Sequence, residues 1–176
     1  FAIIRKSING WSKNITDLYK NVKNIELYSC FMYNLFDLNN YNNVLIFEQS
    51  DLISSCCAKS ANPESRVVTL TNNDIDNFDC SDVIKEDLSM YLKKCAEQDI
   101  KFDIIVINQD NLKNNLAPIL HLCKPCLNPN KNILLKNDNY GKSVIKKISD
   151  MGWNVVSLWL SNERRSLDTS DYLLLS

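Results

Sequence analysis

The segment Phe102-Asp103-Ile104-Ile105-Val106-Ile107 constrains this chain most. It is a short, nearly continuous apolar run rich in β-branched residues. That pattern suits a strand covered on both faces, and such strands belong to parallel sheets flanked by helices. Asn43-Val44-Leu45-Ile46-Phe47, Arg66–Thr71 and Ile133-Leu134-Leu135 repeat the pattern, and Val83-Ile84 reads as a shorter strand. Between them lie stretches with helical spacing: one or two helices over 14–38, then 52–59, Leu88–Gln98, 111–123 and Tyr140–Met151. Asp51 is placed to cap the helix over 52–59, and Asn62-Pro63 to end it. Leu127-Asn128-Pro129-Asn130 reads as a tight turn, and Gly152 as a helix stop.

Strands and helices alternate, so the expected fold is α/β, with a doubly wound, mostly parallel Rossmann-like sheet. The carboxyl-terminal end departs from this. Strands at Trp153–Leu160 and Asp171–Leu175 have only about ten residues between them, too few for a parallel crossover. They are expected to pair antiparallel, with the last strand inserted into the sheet. The 176 residues fit one domain over 1–176, with a helical segment at about 10–38 and a sheet domain at about 43–176.

The net charge of −1 gives no whole-molecule attraction to nucleic acid or anionic membrane. Acidic residues gather at Asp74, Asp76, Asp79, Asp82, Glu86 and Asp87, and lysines at Lys131, Lys136, Lys142, Lys146 and Lys147. Both runs read first as solvated surface. The seven cysteines are odd in number and include the adjacent Cys56-Cys57, unlike a secreted disulfide framework. The expected setting is intracellular and reducing, the cytoplasm or an organelle matrix. Asn14-Ile15-Thr16 is a glycosylation sequon, weak evidence against that. No apolar run approaches the ~20 residues that span a bilayer, and no signal-peptide pattern is visible. Phe1 is an unusual first residue, which leaves room for a longer chain.

After Phe47 comes Glu48-Gln49-Ser50-Asp51, with no glycine. In α/β proteins that bind nucleotides, the first strand normally leads into a glycine-rich turn that lets the backbone approach the ligand. Here Glu48, Ser50 and Asp51 are expected to bring side chains into that space.

Leu127-Asn128-Pro129-Asn130-Lys131-Asn132-Ile133-Leu134-Leu135 is similar to the "L-x-P-G-G-x-h-h-h" entry to the fifth strand of class I S-adenosylmethionine-dependent methyltransferases, with asparagine and lysine in place of the glycines. The terminal antiparallel hairpin points the same way. Within that superfamily the chain most resembles RNA ribose 2′-O-methyltransferases of the FtsJ and coronavirus type. Arg66 to Phe78 is similar to the coronavirus enzyme's second strand and acidic loop, and Phe102-Asp103-Ile104-Ile105-Val106-Ile107-Asn108 to its "W-D-L-I-I-S-D". The match runs loosely from about residue 20 to 176.

That family uses a Lys-Asp-Lys-Glu tetrad. A ribose hydroxyl attacks a sulfonium methyl, and a lysine held near a second cation loses its proton more easily and can activate the alcohol. The resemblance carries over unevenly. Lys23, 24 positions before Phe47, stands for the first lysine and Lys136 for the second. Asn108 stands where the aspartate belongs and cannot carry its charge. Asp171 lies near the glutamate position, off by one, with Glu163 as an alternative. Lys23 reads first as solvated helix surface, whereas Lys136 ends a strand at the edge where such sheets bind ligands. For the cofactor, S-adenosylmethionine, the implied contacts are Phe47, Glu48 and Ser50 at the first turn, Asn72 and Asp74 after the second strand, and Asp87 near the adenine. The bland reading of these residues is a polar loop at a sheet edge.

Other motifs carry less. Cys123-Lys124-Pro125-Cys126 follows a helix, where the dipole opposes a thiolate, and no second pair completes a zinc site. The one histidine, His121, reads as surface or packing. Trp153 and Trp159 suit sheet packing better than base stacking. The sequence therefore points to a methyltransferase-like domain with degraded motifs, weakly active or inactive. Its expected partners are RNA and a protein in a larger RNA-processing or viral assembly, and no membrane. Two alternatives stay open. One is an active enzyme with a divergent cofactor loop, in which Asp110 or Glu163 supplies the carboxylate. The other is a structural subunit without a nucleic-acid role.

Overall fold

A computed structural model describes residues 25–48, 52–74, 79–109, 112, 115–137, 140–158 and 170–176. In chain order the elements are α1 (Ile25–Asn39), β1 (Asn43–Glu48), α2 (Ile53–Ala61), β2 (Arg66–Thr71), β3 (Asp82–Lys85), α3 (Leu88–Glu97), β4 (Phe102–Asn108), α4 (Leu116–Cys123), a 3-10 turn (Lys124–Cys126), β5 (Leu127–Lys136), α5 (Gly141–Asp150), β6 (Val155–Leu158) and β7 (Tyr172–Leu175). The strands form one sheet in the order β3-β2-β1-β4-β5-β7-β6. The first five are parallel, and β7 runs antiparallel between β5 and β6. This is the expected doubly wound α/β architecture with its inserted last strand.

The pleat divides the core into two layers. Val44 and Ile46 of β1, Ile104 and Val106 of β4 and Leu134 of β5 pack with Met32 and Phe36 of α1 and Ile53, Cys57 and Ala58 of α2. The alternate residues Leu45, Phe47, Ile105, Ile107, Ile133 and Leu135 pack with α3, α4 and α5. Ile104, Ile105, Val106 and Ile107 are all 0% exposed, so the continuous apolar run reflects burial on both faces. Each such side chain contributes about 1.5–3 kcal/mol.

Three expectations shift. The fourth helix begins at Leu116 rather than 111, and Asn115 makes no side-chain cap. The turn expected at Leu127–Asn130 is the start of β5. Its pairing with β4 slips between Phe102 and Ile104, opposite Leu127 and Asn132, and Asn130 takes up the irregularity at φ 58°. A bulge mimics turn chemistry, because both need a residue tolerant of positive φ. The strand expected over Trp153–Leu160 is described as Val155–Leu158. Gly152 does end α5, at φ 87°. The lysine run also disperses. Lys131 lies midway along β5 beside Asp103, Lys136 at its end, and Lys142, Lys146 and Lys147 on α5.

Candidate functional site at the carboxyl edge of the sheet

Strand order reverses between β1 and β4, and in open α/β sheets ligands bind beyond the carboxyl ends of the strands at that reversal. Register places a row of polar residues there. Glu48 pairs with Asn108 across β1 and β4. Ile107 pairs with Leu135, so Lys136 follows on the next strand, and Lys136 pairs with Tyr172. Period-two alternation turns Glu48, Asn108, Lys136 and Tyr172 to the α1–α2 face. The structure thus brings together Asn108, Lys136 and the segment containing Asp171. Lys23, Ser50, Asp110 and Glu163 lie outside the described residues, as do Asp51 and Trp159.

Asn108 is held by two tyrosines. Its Nδ2 donates to Tyr28 Oη (3.1 Å), and Tyr172 Oη donates to its Oδ1 (3.4 Å). The rings of Tyr28 and Tyr172 stack at 5.8 Å, and Phe31 stacks on Tyr172 at 5.7 Å. Tyr28 Oη also lies 2.5 Å from Ser54 Oγ of α2. Neither tyrosine stands out in the sequence: Tyr28 fits an apolar helical pattern, and Tyr172 follows an acidic residue, Asp171, which is exposed. Asn137 fixes the position of that segment. It donates to Ser170 O (2.7 Å) and Oγ (2.9 Å), and its backbone N–H donates to Asp171 O (3.0 Å).

Glu48 does not project into the space beyond the turn. It is 0% exposed and turned under α2. Ser55 Oγ donates to its Oε1 at 2.8 Å and lies 2.6 Å from Thr69 Oγ1, which hydrogen-bonds Ser81 Oγ at 2.7 Å. A buried polar chain therefore joins β1, α2, β2 and the entry to β3. Phe47 faces the other layer and is 2% exposed, within the core beside Leu45 and Leu70. Leu52, just before α2, adopts φ 49° and ψ 19°. A left-handed leucine costs roughly 1–2 kcal/mol, at a backbone conformation that glycine adopts freely.

The residues after β2 and β3 face solvent. Asn72 and Asp74 are exposed, and Lys85 Nζ lies 2.6 Å from Asp74 Oδ1. Asp87 caps α3, its Oδ1 accepting from the backbone N–H of Ser89 (2.9 Å) and Met90 (3.1 Å). Glu86 pairs with Lys94. These groups have the chemistry to hold ribose hydroxyls and an adenine amino group: carboxylates and an amide at the ends of adjacent strands.

The other motifs take structural places. Cys123 and Cys126 are both 0% exposed, and burial pushes each thiol up, Cys126 to about 11. Cys126 donates to Leu92 O (3.3 Å). Trp153 is buried in the α3–α5 layer under Lys124, and His121 is exposed on α4. Among the described residues no group of three or more histidine, cysteine or acidic side chains converges as a metal site would require, and no helix is long and apolar enough to cross a membrane.

No protein-family model and no curated protein matches the sequence. Solved structures do match in fold. An O-methyltransferase from Bacillus cereus in complex with SAH is 14% identical, with a TM-score of 0.64 over 94% of this chain and 90% of that one. The MycE methyltransferase of the mycinamycin biosynthetic pathway, in complex with Mg and SAH, is 15% identical, with a TM-score of 0.59 over 92% of this chain and 48% of that one. A SAM-dependent methyltransferase from Agrobacterium tumefaciens is 14% identical, with a TM-score of 0.53 over 62% of this chain and 43% of that one. The chain thus spans less than half the length of the latter two. At these identities the likeness is one of fold: a Rossmann-like methyltransferase sheet.

Proposed function

We propose that this chain is a methyltransferase-fold domain of the RNA ribose 2′-O-methyltransferase kind in which methyl transfer is weak or lost. Its remaining work is binding, within a larger RNA-processing or viral assembly. The observation that carries this reading is the state of Asn108. Where the resemblance calls for a carboxylate between two lysines, there is an amide bonded to Tyr28 and Tyr172. An amide neither balances two cations nor accepts a proton. The ligand for which the edge is suited is S-adenosylmethionine. Asn72 and Asp74 would meet its ribose and Asp87 its adenine, and the bound cofactor would supply the methyl group on a sulfonium. Lys136 would face the substrate side. Glu48 contributes no group to the methionine half, because its carboxyl is engaged under α2.

A second reading has its own support. The left-handed turn at Leu52 and the solvent-facing polar row after β2 and β3 are features that a working cofactor site would keep. Titration of the folded protein with S-adenosylmethionine by calorimetry separates the two. No binding at millimolar cofactor sinks the enzyme reading, and micromolar binding with turnover on RNA sinks the binding-domain reading. If turnover is found, Lys136→Ala should abolish it, and unchanged turnover would remove Lys136 from the chemistry. For the RNA partner, affinity should fall steeply with salt if phosphates are contacted. RNA affinity insensitive to salt, or absent, leaves a protein partner as the reading.

A further inference from the structure

Two thiols from separate elements meet beside the candidate site. Cys56, on α2, is 0% exposed, and its Sγ donates to Cys80 Sγ at 3.4 Å. Cys80 is half-buried in the turn at 79–81 that leads into β3. Its chain neighbour Ser81 closes the polar chain that runs through Thr69 and Ser55 to Glu48. Ser55 of α2 thus reaches Ser81 of the turn through Thr69, while its neighbour Cys56 meets Cys80 directly. Other buried thiols are committed elsewhere: Cys57 donates to Ser29 O (3.6 Å) and Cys126 to Leu92 O (3.3 Å).

We propose that Cys56 and Cys80 form a reversible thiol–disulfide site, closed by a low-molecular-weight disulfide such as oxidised glutathione and opened by the corresponding thiol. The geometry needs little change. A disulfide has an S–S distance of about 2.05 Å, so the sulfurs must approach by roughly 1.4 Å. Cys80 lies in a turn rather than a packed strand, and can supply that movement.

The two sulfurs also divide the labour of exchange. The hydrogen bond from Cys56 holds the Cys80 thiol below its usual range and the Cys56 thiol above its own. The Cys80 thiolate, the more accessible sulfur, attacks one sulfur of glutathione disulfide and expels the first glutathione thiolate. Cys56 then loses its proton and attacks Cys80 Sγ, breaking the mixed disulfide and expelling the second thiolate. Two cysteine thiols are oxidised and one glutathione disulfide is reduced to two thiols, which take up the two protons. The closed form ties the turn before β3 to α2. The inference stands whether or not the chain methylates anything.

The test is peptide mapping after folded protein is equilibrated in glutathione buffers of increasing oxidised fraction and then alkylated. The expected product joins the Cys56 and Cys80 peptides, two hydrogens lighter than the pair of free thiols, and dithiothreitol reverses it. Cys80→Ser should show neither this product nor glutathione on Cys56. Cys56→Ser should accumulate glutathione on Cys80, which the wild type resolves. If Cys56→Ser does not fold, the wild-type map and Cys80→Ser decide. Absence of the Cys56–Cys80 product across the whole range, or its appearance only in denaturant, overturns the proposal.

Discussion

The two ends of β4 hold similar side chains in opposite circumstances. At its start, Asp103 is 8% exposed and saturated with donors: the backbone N–H groups of Asn42 (2.8 Å) and Asn43 (3.1 Å), the Asn128 amide (3.0 Å) and, at 3.9 Å, Lys131. At its end, Asn108 is half-buried and held by two tyrosine hydroxyls. The carboxylate of this strand thus serves architecture, clamping the entries of β1, β4 and β5. The amide stands at the edge where such sheets do chemistry. A charge surrounded by fixed donors stabilises a fold, whereas a neutral amide held by two hydroxyls that can each rotate leaves its edge more adaptable.

Among the polar contacts, the largest expected effect is therefore at the structural end. Asp103→Ala strands two backbone N–H groups and the Asn128 amide, and should cost about 3 kcal/mol in denaturant unfolding. A loss under 1 kcal/mol would show that water replaces the carboxylate and would erase the contrast. Next is its pH dependence. Burial works to raise the Asp103 carboxyl, but the bonds from Asn128, Asn42 and Asn43 and the charge of Lys131 outweigh it, and its pKa is lowered. A carboxyl lowered by folding adds stability that is present above its unfolded value, near 3.9, and is lost as pH falls through the folded value. The gap between wild type and Asp103→Ala should hold steady between about pH 5 and 7 and narrow below about pH 4. A gap that widened in acid would reverse the assigned sign.

The same contrast explains what could be read from sequence. The strands β1, β2, β4 and β5 were legible because their burial on both faces writes long apolar runs. The inserted β7 was legible because its connection is too short for a crossover. Residue types were legible at the carboxyl edge, but their partners were not. Glu48 reads as an obstruction in a turn, yet it is bonded to Ser55, seven residues on in the first turn of α2. Tyr28 and Tyr172 meet Asn108 across separations of 80 and 64 residues, which no local pattern encodes. Asn128 and Asn130 read as a turn because a β-bulge uses the same residue types.

At the adaptable end the effects should be smaller. Asn108→Ala removes one amide from two tyrosine hydroxyls in a half-buried place, and should cost about 1 kcal/mol. Asn108→Asp should fall within about 1 kcal/mol of wild type, because Tyr28 and Tyr172 can both turn their hydroxyls to donate and Lys136 follows on the next strand. Thermal unfolding of the pair checks both. If Asn108→Asp lost as much as Asp103→Ala, the two ends of β4 would be equally rigid.

The smallest effect belongs to Tyr172→Phe. The ring is buried and stacked on Tyr28 and Phe31, and phenylalanine keeps all of that contact. What is lost is one 3.4 Å hydrogen bond to a half-buried amide. The expected cost is about 0.5 kcal/mol or less by chemical denaturation. Tyr172→Ala, by contrast, opens a cavity under α1 and should cost about 3–5 kcal/mol. The ratio between these two variants measures how far the tyrosine acts as packing and how far as a hydrogen-bond donor. A Tyr172→Phe loss above about 1.5 kcal/mol would mean that Asn108 is gripped as firmly as Asp103. The carboxyl edge would then be a second structural clamp rather than an open binding edge.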